Sequence, residues 1–352
     1  MTDMNKMRVG IVGCGTIADI HAQAIEQSDH LLIRSFYSRD ELRAKSAGEK
    51  YGKKWFTDWR EFISDGDLDA VSVCTPSGTH MDYGIKAAES GKHVIVEKPI
   101  EVSLARAGQL IKKCNEKNVK LAVIYQSRFM PSIQWLKEQL DQHLIGDIFM
   151  GDATVKWFRS QDYYDSGEWR GTFNLDGGGV LINQAIHTID LLQWFMGGVL
   201  TVFGQTDTLS HQRLEGEDNA VAVLRYKNKA IGVIEGSTSV LPAQARKIEI
   251  HGTKGTALLE GDDVIVRLGD KAVKPPFAEQ KEKVPSGSSS PLAGFSIEPH
   301  KDQFEAIARA ISQDQDPPVA ACNGLDSLAI VLAVYQSAKT GQVINLDEFM
   351  KS

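Results

Sequence analysis

Hydrophobic residues in the first 125 positions follow two periods in turn, and each period indicates a different element. Short continuous apolar runs are typical of strands that are covered on both faces. Segments with helical spacing separate these runs. The predicted strands are residues 8–12, 31–37, 70–74, 93–97 and 120–125, and the predicted helices are residues 17–27, 40–51, 80–90 and 103–117. This alternation predicts a doubly wound parallel α/β sheet with helices on both faces.

The pattern changes after about residue 126. Most of the later apolar runs follow one another across short polar turns, which is typical of an antiparallel sheet. The predicted strands are residues 148–158, 199–204, 220–226, 230–239, 247–251, 256–260 and 264–268, and the predicted helices are residues 132–140, 183–194, 301–312 and 325–340. Residues 271–299 are rich in Lys, Pro, Ser and Gly and are predicted to form a long exposed loop.

The two patterns predict three segments. Residues 1–125 form the α/β domain, and residues 126–300 form an α+β domain with a large open, mainly antiparallel sheet. Residues 301–352 are expected to be helices that pack back on the first domain.

Composition narrows the class of protein. With 352 residues and 42% hydrophobic content, the chain can bury sizeable cores. Its 39 basic and 46 acidic residues give a net charge of −7, which argues against a nucleic-acid partner. No apolar run approaches the roughly 18 residues of a membrane span, and the polar start lacks the shape of a secretory signal. Four widely spaced cysteines favour neither disulfides nor a metal site, so we expect a cytoplasmic protein with reduced thiols.

A glycine-rich turn follows the first predicted strand and opens the first helix. It reads Gly13-x-Gly15-x-x-Ala18, with Thr16 and Ile17 between the last two positions. Such glycines allow a dinucleotide pyrophosphate to approach the backbone, and the helix start supplies N–H donors. The motif predicts an NAD(P)-binding Rossmann domain. A glycine turn without a ligand is the alternative, and the strand–turn–helix context disfavours it.

The end of the second strand bears on the choice of cofactor. An acidic residue there binds the ribose 2′-hydroxyl of NAD, whereas a basic residue accommodates the 2′-phosphate of NADP. Ser38 occupies this slot and Arg39 follows it, which favours NADP. Asp40 lies one or two residues later and keeps NAD open.

Two further patterns suggest chemistry. In Glu97-Lys98-Pro99, a lysine at the end of a parallel strand can bind a substrate hydroxyl and take its proton, although an ordinary surface lysine is equally compatible. In the segment after Gly177-Gly178-Gly179, Asn183 and His187 are four residues apart and share a helix face. A histidine suits general-base catalysis, and a core histidine on a buried helix is the alternative.

Together these motifs resemble the Gfo/Idh/MocA oxidoreductases, the family of glucose-fructose oxidoreductase and inositol dehydrogenase. The resemblance runs along nearly the whole chain. Its motifs are Gly13-x-Gly15-x-x-Ala18, Cys74-Thr75-Pro76-x-x-x-His80, Glu97-Lys98-Pro99, Tyr125-Gln126-x-Arg128-Phe129 and Gly178-Gly179-x-Leu181-x-Asn183-x-x-x-His187-x-x-Asp190. It implies hydride transfer between the nicotinamide of NAD or NADP and an alcohol carbon of a sugar or cyclic polyol.

The resemblance also assigns residues. Lys98 matches the family's Glu-Lys-Pro lysine and His187 its catalytic histidine, so either can take the hydroxyl proton. Many members have aspartate where this chain has Asn183, and this difference puts a proton relay through a carboxylate in doubt. Members that act on nucleotide-linked sugars and on glycosides at C3 have a similar segment that contains Asn. Further cofactor-binding candidates are Thr75, Pro76, His80, Glu97 and Lys98. Further substrate-binding candidates are Gln126, Arg128, Tyr163, Trp169 and Arg170, with packing as the alternative for the two aromatic residues.

An alternative function and an expected oligomeric state also follow from the sequence. A protein that binds NAD(P) as a sensor without turnover is the alternative to an enzyme, although retention of Lys98 and His187 argues against it. A broad sheet with one face uncovered by helices would expose apolar area. We therefore expect a homodimer or homotetramer that forms through the sheet of the second domain.

Overall fold

The computed structural model describes residues 6–65, 67–277 and 296–351. Contacts between Cα atoms divide these residues into two compact units. The first unit contains residues 6–126 and 296–325, and the second contains residues 127–277 and 326–351.

The first unit is built on a six-stranded sheet. Its strands are β1 (Met7–Val12), β2 (Leu31–Tyr37), β3 (Lys54–Phe56), β4 (Ala70–Val73), β5 (His93–Val96) and β6 (Leu121–Val123). They lie in the order β3-β2-β1-β4-β5-β6, and all neighbours are parallel. The helices are α1 (Thr16–Glu26), α2 (Glu41–Tyr51), α3 (Trp59–Ile63), α4 (His80–Glu89) and α5 (Leu104–Glu116). The predicted doubly wound fold is confirmed; the short β3 and α3 went unpredicted because neither is long enough to show a period.

The second unit is built on a nine-stranded sheet. Its strands are β7 (Ile148–Lys156), β8 (Val199–Asp207), β9 (Asn219–Tyr226), β10 (Ile231–Ser237), β11 (Lys247–Gly252), β12 (Gly255–Glu260), β13 (Asp263–Leu268), β14 (Lys271–Val273) and β15 (Ile344–Asn345). Their order is β14-β13-β12-β11-β7-β10-β9-β8-β15. Among the described strands of this sheet, β7 and β10 are the one pair that is parallel, so the predicted mainly antiparallel sheet is confirmed.

Helices cover one face of this sheet. The helices of the unit's chain between residues 127 and 277 are α6 (Pro131–Asp141), α7 (Gln161–Asp165) and α8 (Ile186–Met196), and α6 and α8 pack on the sheet strands. Along β9 the side chains alternate: Ala222 and Leu224 are buried, whereas Val221 and Val223 are each 53% exposed. The alternation is the expected one for a sheet with one covered and one open face.

The last part of the chain differs from the expectation that residues 301–352 all pack on the first unit. The helix α9 (Glu298–Ser312) does so, and its Phe304 and Ile307 lie in the core beside α1. The helix α10 (Ala321–Thr340) runs from one unit into the other, and the chain after it contains β15 and α11 (Leu346–Phe349). These later residues belong to the second unit because β15 pairs with β8 and Ser337 accepts a hydrogen bond from the N–H of Gly204.

The loop predicted at residues 271–299 is largely beyond comparison, because residues 278–295 lie outside the described part of the chain. At its start, β14 pairs with β13, so residues 271–273 are strand rather than loop. None of the four cysteines forms a disulfide. Among the described helices, none combines the length and apolar character that crossing a membrane requires.

Candidate active site

The glycine turn after β1 has the geometry that its sequence predicts. Gly13 has φ of +90°, and a Cβ there would lie 2.7 Å from the carbonyl oxygen of Cys74. Any other residue would be strained and would clash with the backbone. Gly15 is the N-cap of α1, and nothing lies within 4 Å of a Cβ built on it. The first N–H groups of α1, among them those of Thr16 and Ile17, are the donors that a helix start offers to a pyrophosphate.

The residues after β2 differ in the hydrogen bonds that their side chains make. The strand ends at Tyr37, so Ser38 stands at the strand end. Asp40 is the N-cap of α2, since its carboxylate accepts a hydrogen bond from the N–H of Arg43 at 3.1 Å. The Ser38 hydroxyl accepts a hydrogen bond from the N–H of Asp40 at 3.1 Å. Arg39 is exposed.

The turn after β4 contains Thr75 and Pro76, both half-buried, and His80 lies just beyond it. His80 is fully buried, and its ring nitrogens lie 3.0 Å from the carbonyl oxygen of Thr75 and 2.9 Å from that of Pro99. Burial lowers the pKa of His80, and a neutral ring donates to one of these carbonyls. The predicted cofactor contact from His80 is thus corrected: its ring is enclosed and supports the Thr75 and Pro99 turns.

Glu97 follows β5 and belongs to a buried network that the sequence analysis missed. Its Oε1 lies 2.7 Å from Nε2 of His21, which is fully buried on α1, and its Oε2 accepts a hydrogen bond from the N–H of Lys98 at 3.1 Å. The other nitrogen of His21 lies 2.8 Å from Oγ of Ser72. Burial alone would raise the pKa of the Glu97 carboxyl, but the hydrogen bond and charge of His21 hold it well below its usual range.

This network explains the position of Lys98. The carboxylate of Glu97 holds the backbone of Lys98 at the carboxyl end of a parallel strand, and the Lys98 side chain is half-buried. Glu97 itself, predicted to contact the cofactor, is 7% exposed and is bound to His21. It therefore orders the strand end rather than offering an open cofactor ligand.

Asn183 and His187 lie in a segment that is otherwise buried. From Val180 to Gln193, they are the two residues that are half-buried. Residues 180–185 form a wide π-helical turn, and α8 begins at Ile186. The sequence predicted an ordinary helix here; a π turn is rare and frequent at functional sites. Both polar side chains are therefore partly accessible to solvent.

Glu217 fixes the start of this segment. Its carboxylate accepts hydrogen bonds from the N–H groups of Gly179 (3.0 Å) and Leu181 (2.7 Å) and from the hydroxyl of Tyr335 (3.0 Å). A Cβ at Gly179 would lie 1.8 Å from the Glu217 carbonyl oxygen, so this close approach requires glycine. Burial raises the pKa of Glu217 to about 7, although the N–H groups oppose the shift.

A carboxylate lies beside Asn183 even though the residue itself is an amide. Nδ2 of Asn183 donates to Oδ1 of Asp176 at 2.6 Å, and Oδ2 of Asp176 accepts from the N–H of Gly171 at 2.8 Å. Asp176 is 3% exposed. The amide of Asn183 is thereby held in one orientation.

Three predicted substrate-binding residues lie together, and two unpredicted residues join them. The guanidinium carbon of Arg170 is 4.3 Å from the ring centre of Tyr163 and 4.6 Å from that of Trp169. The hydroxyl of Tyr163 accepts from Nη1 of Arg170 at 2.8 Å and from Nε2 of Gln184 at 2.9 Å. Oε1 of Gln184 accepts from Nη2 of Arg159 at 3.0 Å.

Arg128 departs from its expected role. It is 5% exposed, and its Nε and Nη2 donate to the two carboxylate oxygens of Asp190, each at 2.7 Å. Its guanidinium also lies 5.0 Å from the ring of Trp194. Arg128 therefore holds α8 in place rather than presenting an open clamp for substrate. Gln126, in the first unit, is 8% exposed.

Of the residues that the sequence analysis did not predict, only some had a recognisable sequence pattern. His21 shares the buried face of α1 with Ala18 and Ile25, so a polar residue on a helix core face was a usable signal. Glu217 comes just before an alternating strand and nothing local marks it as buried. Asp176 precedes the glycines and reads as an ordinary turn residue.

Comparison with protein families identifies the chain. Residues 7–125 match the family model described as the oxidoreductase family, NAD-binding Rossmann fold, and residues 137–346 match the model of the oxidoreductase family, C-terminal alpha/beta domain. The protein therefore belongs to the Gfo/Idh/MocA oxidoreductase family, as its motifs predicted. Its first domain is the NAD(P)-binding domain of that family.

Individual relatives match over almost the full chain. The sequence is 27% identical to the uncharacterized oxidoreductase YrbE of Bacillus subtilis, with 97% of each chain covered. It is also 27% identical to myo-inositol 2-dehydrogenase of Thermotoga maritima, with 97% of this chain and 99% of that protein covered. The fold is similar to that of the WlbA dehydrogenase from Bordetella pertussis in complex with NADH and UDP-GlcNAcA, with a TM-score of 0.85, 32% identity and 98% of each chain covered.

Proposed function

We propose that the protein is an NAD(P)-dependent oxidoreductase that transfers a hydride between the nicotinamide and a secondary alcohol carbon. The substrate class is a sugar, glycoside, nucleotide sugar or cyclic polyol. The observation that carries the proposal is the half-buried pair Asn183 and His187, four residues apart in an otherwise buried segment that Glu217 anchors. Relatives that are named as a polyol dehydrogenase and as a dehydrogenase complexed with UDP-GlcNAcA support this substrate range.

The proposal assigns roles in cofactor binding, proton transfer and substrate binding to individual residues. Gly13, Gly15, Thr16 and Ile17 receive the cofactor pyrophosphate at the start of α1. Lys98 or His187 takes the hydroxyl proton, and Asn183, oriented by Asp176, hydrogen-bonds the substrate. The bound nicotinamide supplies the hydride chemistry, while the protein binds and orients the alcohol.

We further propose that NADP is the preferred cofactor. Ser38 stands where an acidic residue would select NAD. The carboxylate of Asp40 already caps α2, and the exposed Arg39 is available to a 2′-phosphate.

Substitution of the two acid–base candidates tests the proposed function. In Lys98→Ala and His187→Ala proteins we expect kcat/KM for the best sugar or polyol to fall by about 100-fold or more, because general acid–base catalysis contributes at least that much. The measurement is nicotinamide absorbance across inositols, free sugars, glycosides and nucleotide sugars, each with NAD+ and NADP+.

Matched controls separate catalysis from folding. His251→Ala removes a half-buried histidine of the second unit, and Lys112→Ala removes an exposed lysine of the first; both should keep full activity. Full turnover in the folded Lys98→Ala and His187→Ala proteins would refute the assignment. Stoichiometric NADPH binding without turnover on any substrate would favour the sensor.

The expected assembly and location belong to the same proposal. A second copy of the chain covers the open face of the nine-stranded sheet, where Val221, Val223 and Ile231 are exposed and Phe203 lies beside Val223. A cytoplasmic location fits four cysteines without a disulfide.

A further inference from the structure

Arg170 is a cation held by aromatic rings rather than by an acid. Its guanidinium lies over the rings of Tyr163 and Trp169, its Nε donates to Oγ of Ser166 at 3.1 Å, and its Nη1 donates to the hydroxyl of Tyr163. Within the described part of the chain, no carboxylate pairs with Arg170. Stacking fixes the orientation of the planar group without neutralising its charge.

The hydrogen bonds that Tyr163 accepts determine what its hydroxyl can still offer to a ligand. A phenol oxygen has two acceptor positions and one proton. Both acceptor positions are occupied, by Nη1 of Arg170 and by Nε2 of Gln184, so the O–H proton is left for another acceptor. The acceptor oxygen of Gln184 is itself bound by Arg159. What these side chains can still offer to a ligand is therefore donors: N–H groups of Arg170 and the O–H of Tyr163.

A second positive charge reinforces this donor cluster, defined as Arg159, Tyr163, Trp169, Arg170 and Gln184. The guanidinium of Arg159 lies 5.4 Å from the ring centre of Tyr163, on which Arg170 also stacks. Burial lowers the pKa of Arg159, and the positive charge of Arg170 adds to that effect. Two guanidinium groups around one phenol favour a ligand that brings negative charge.

The donor cluster adjoins the candidate substrate residues. Nε2 of Gln184 lies 3.4 Å from Oδ1 of Asn183, the residue proposed to bind the substrate alcohol. All of these side chains belong to the second unit. Gln184 therefore contacts both Tyr163 and Asn183, so the donor cluster is close enough for one ligand to contact it and Asn183 together.

We propose that the donor cluster binds an anionic oxygen group of the substrate, so that the substrate is an acidic sugar. The group is a carboxylate or a phosphate, because both present several acceptor oxygens to a fork of donors. This inference rests on the proposed function and narrows its substrate class.

Binding of matched probes to the full-length protein with NADPH tests the inference by calorimetry. Glucuronate and glucose differ by a carboxylate in place of one alcohol group, and glucose 6-phosphate and glucose differ by one phosphate. We expect an anionic probe to bind about tenfold or more tightly than its neutral partner, as for charge-assisted hydrogen bonds. A preference within the first pair identifies the carboxylate as the recognised group, and one within the second pair identifies the phosphate.

Substitutions in the donor cluster test whether its side chains bind the anionic group. Arg170→Gln should remove the preference for the anionic probe, and Tyr163→Phe should reduce it, while NADPH binding stays unchanged as evidence of folding. Arg213→Gln is the matched control, since this exposed arginine of the same unit pairs with Asp165 and should not matter. Equal affinities within both pairs, no binding of any anionic probe, or a preference that survives in Arg170→Gln would overturn the inference.

The two proposals fail separately. Anion binding that depends on Arg170, without turnover of any substrate, contradicts the proposed function and leaves the anion site standing. Turnover of neutral sugars that equals turnover of acidic ones contradicts the anion site and leaves the oxidoreductase standing.

Discussion

At the scale of the residue, a capping hydrogen bond after β2 bears on which side chain is proposed to contact the cofactor. Asp40 could have met a ribose hydroxyl, but its carboxylate caps α2 and lies 3.3 Å from Nε of Arg43. A cap of this kind is typically worth about 1 kcal/mol, so moving Asp40 toward a cofactor would weaken the helix. Arg39 is exposed, and the cap of α2 does not depend on its side chain. These side chains are the basis of the proposed preference for NADP, in which the guanidinium of Arg39 contacts the 2′-phosphate.

Replacing Arg39 with alanine should weaken NADPH binding by about tenfold, because charge-assisted hydrogen bonds to the phosphate are lost. NADH lacks that phosphate, so its dissociation constant should change little. Fluorescence titration of both cofactors makes the measurement, and Lys45→Ala, an exposed substitution on α2, is the control. An equal loss for both cofactors would contradict the preference for NADP.

At the scale of the element, the π turn and α8 depend on a residue that lies outside them. Glu217 accepts two N–H groups from the start of the segment and the hydroxyl of Tyr335, so three donors converge on one buried carboxyl. Asp176 binds Asn183 from another side. The segment that carries Asn183 and His187 is therefore held by acidic side chains from the surrounding chain.

The raised pKa of Glu217 predicts a pH-dependent stability. Its carboxyl has a pKa of about 7 in the folded protein and an ordinary value of 4.5. Between these values the folded state binds more protons than the unfolded state, so stability falls as pH rises from about 4.5 to about 7. In Glu217→Gln the melting temperature should fall less across this range, and kcat should fall because the amide cannot accept all three donors.

The exposed Glu215 provides the control for this prediction, since Glu215→Gln changes the same residue type two positions away. Its melting curve should keep the pH dependence of the unmodified protein. Identical pH dependence in Glu217→Gln and the unmodified protein would show that Glu217 does not retain its proton in the folded state.

At the scale of the whole molecule, the open face of the nine-stranded sheet presents a cross-strand apolar row. Val223 of β9 lies opposite Phe203 of β8 and Val233 of β10. Val221 and Val223 are each 53% exposed and Phe203 is 37% exposed. Contiguous apolar surface of this kind is typical of an interface between subunits.

Val223→Glu should convert the expected dimer or tetramer into a monomer, because a carboxylate at the centre of an apolar contact loses its hydration without gaining a partner. Size-exclusion chromatography with light scattering gives the mass. Leu42→Glu, at a leucine that is 80% exposed on α2, should leave the mass unchanged. A monodisperse monomer in the unmodified protein would remove the basis of this prediction.

Local sequence pattern accounts for most of the elements and for part of the site. Strands such as β2 and helices such as α5 were predicted to within about a residue, because hydrophobic period and turn residues act over short distances. The glycine turn at Gly13 was predictable for the same reason, since its stereochemistry depends on its own φ. The roles of His80 and Arg128 were not, because burial and partners decide them.

The sequence by itself determined the order of the longer elements, the Rossmann domain and the family, and it marked Lys98, Asn183 and His187 as candidates. The tertiary structure decided which polar residues are enclosed and which stay open to a ligand. His21 meets Glu97 across 76 positions and Glu217 meets Leu181 across 36, and no local pattern encodes such pairs. The physical reason is that hydrogen bonding and burial depend on distance in space, whereas a hydrophobic period reports only distance along the chain.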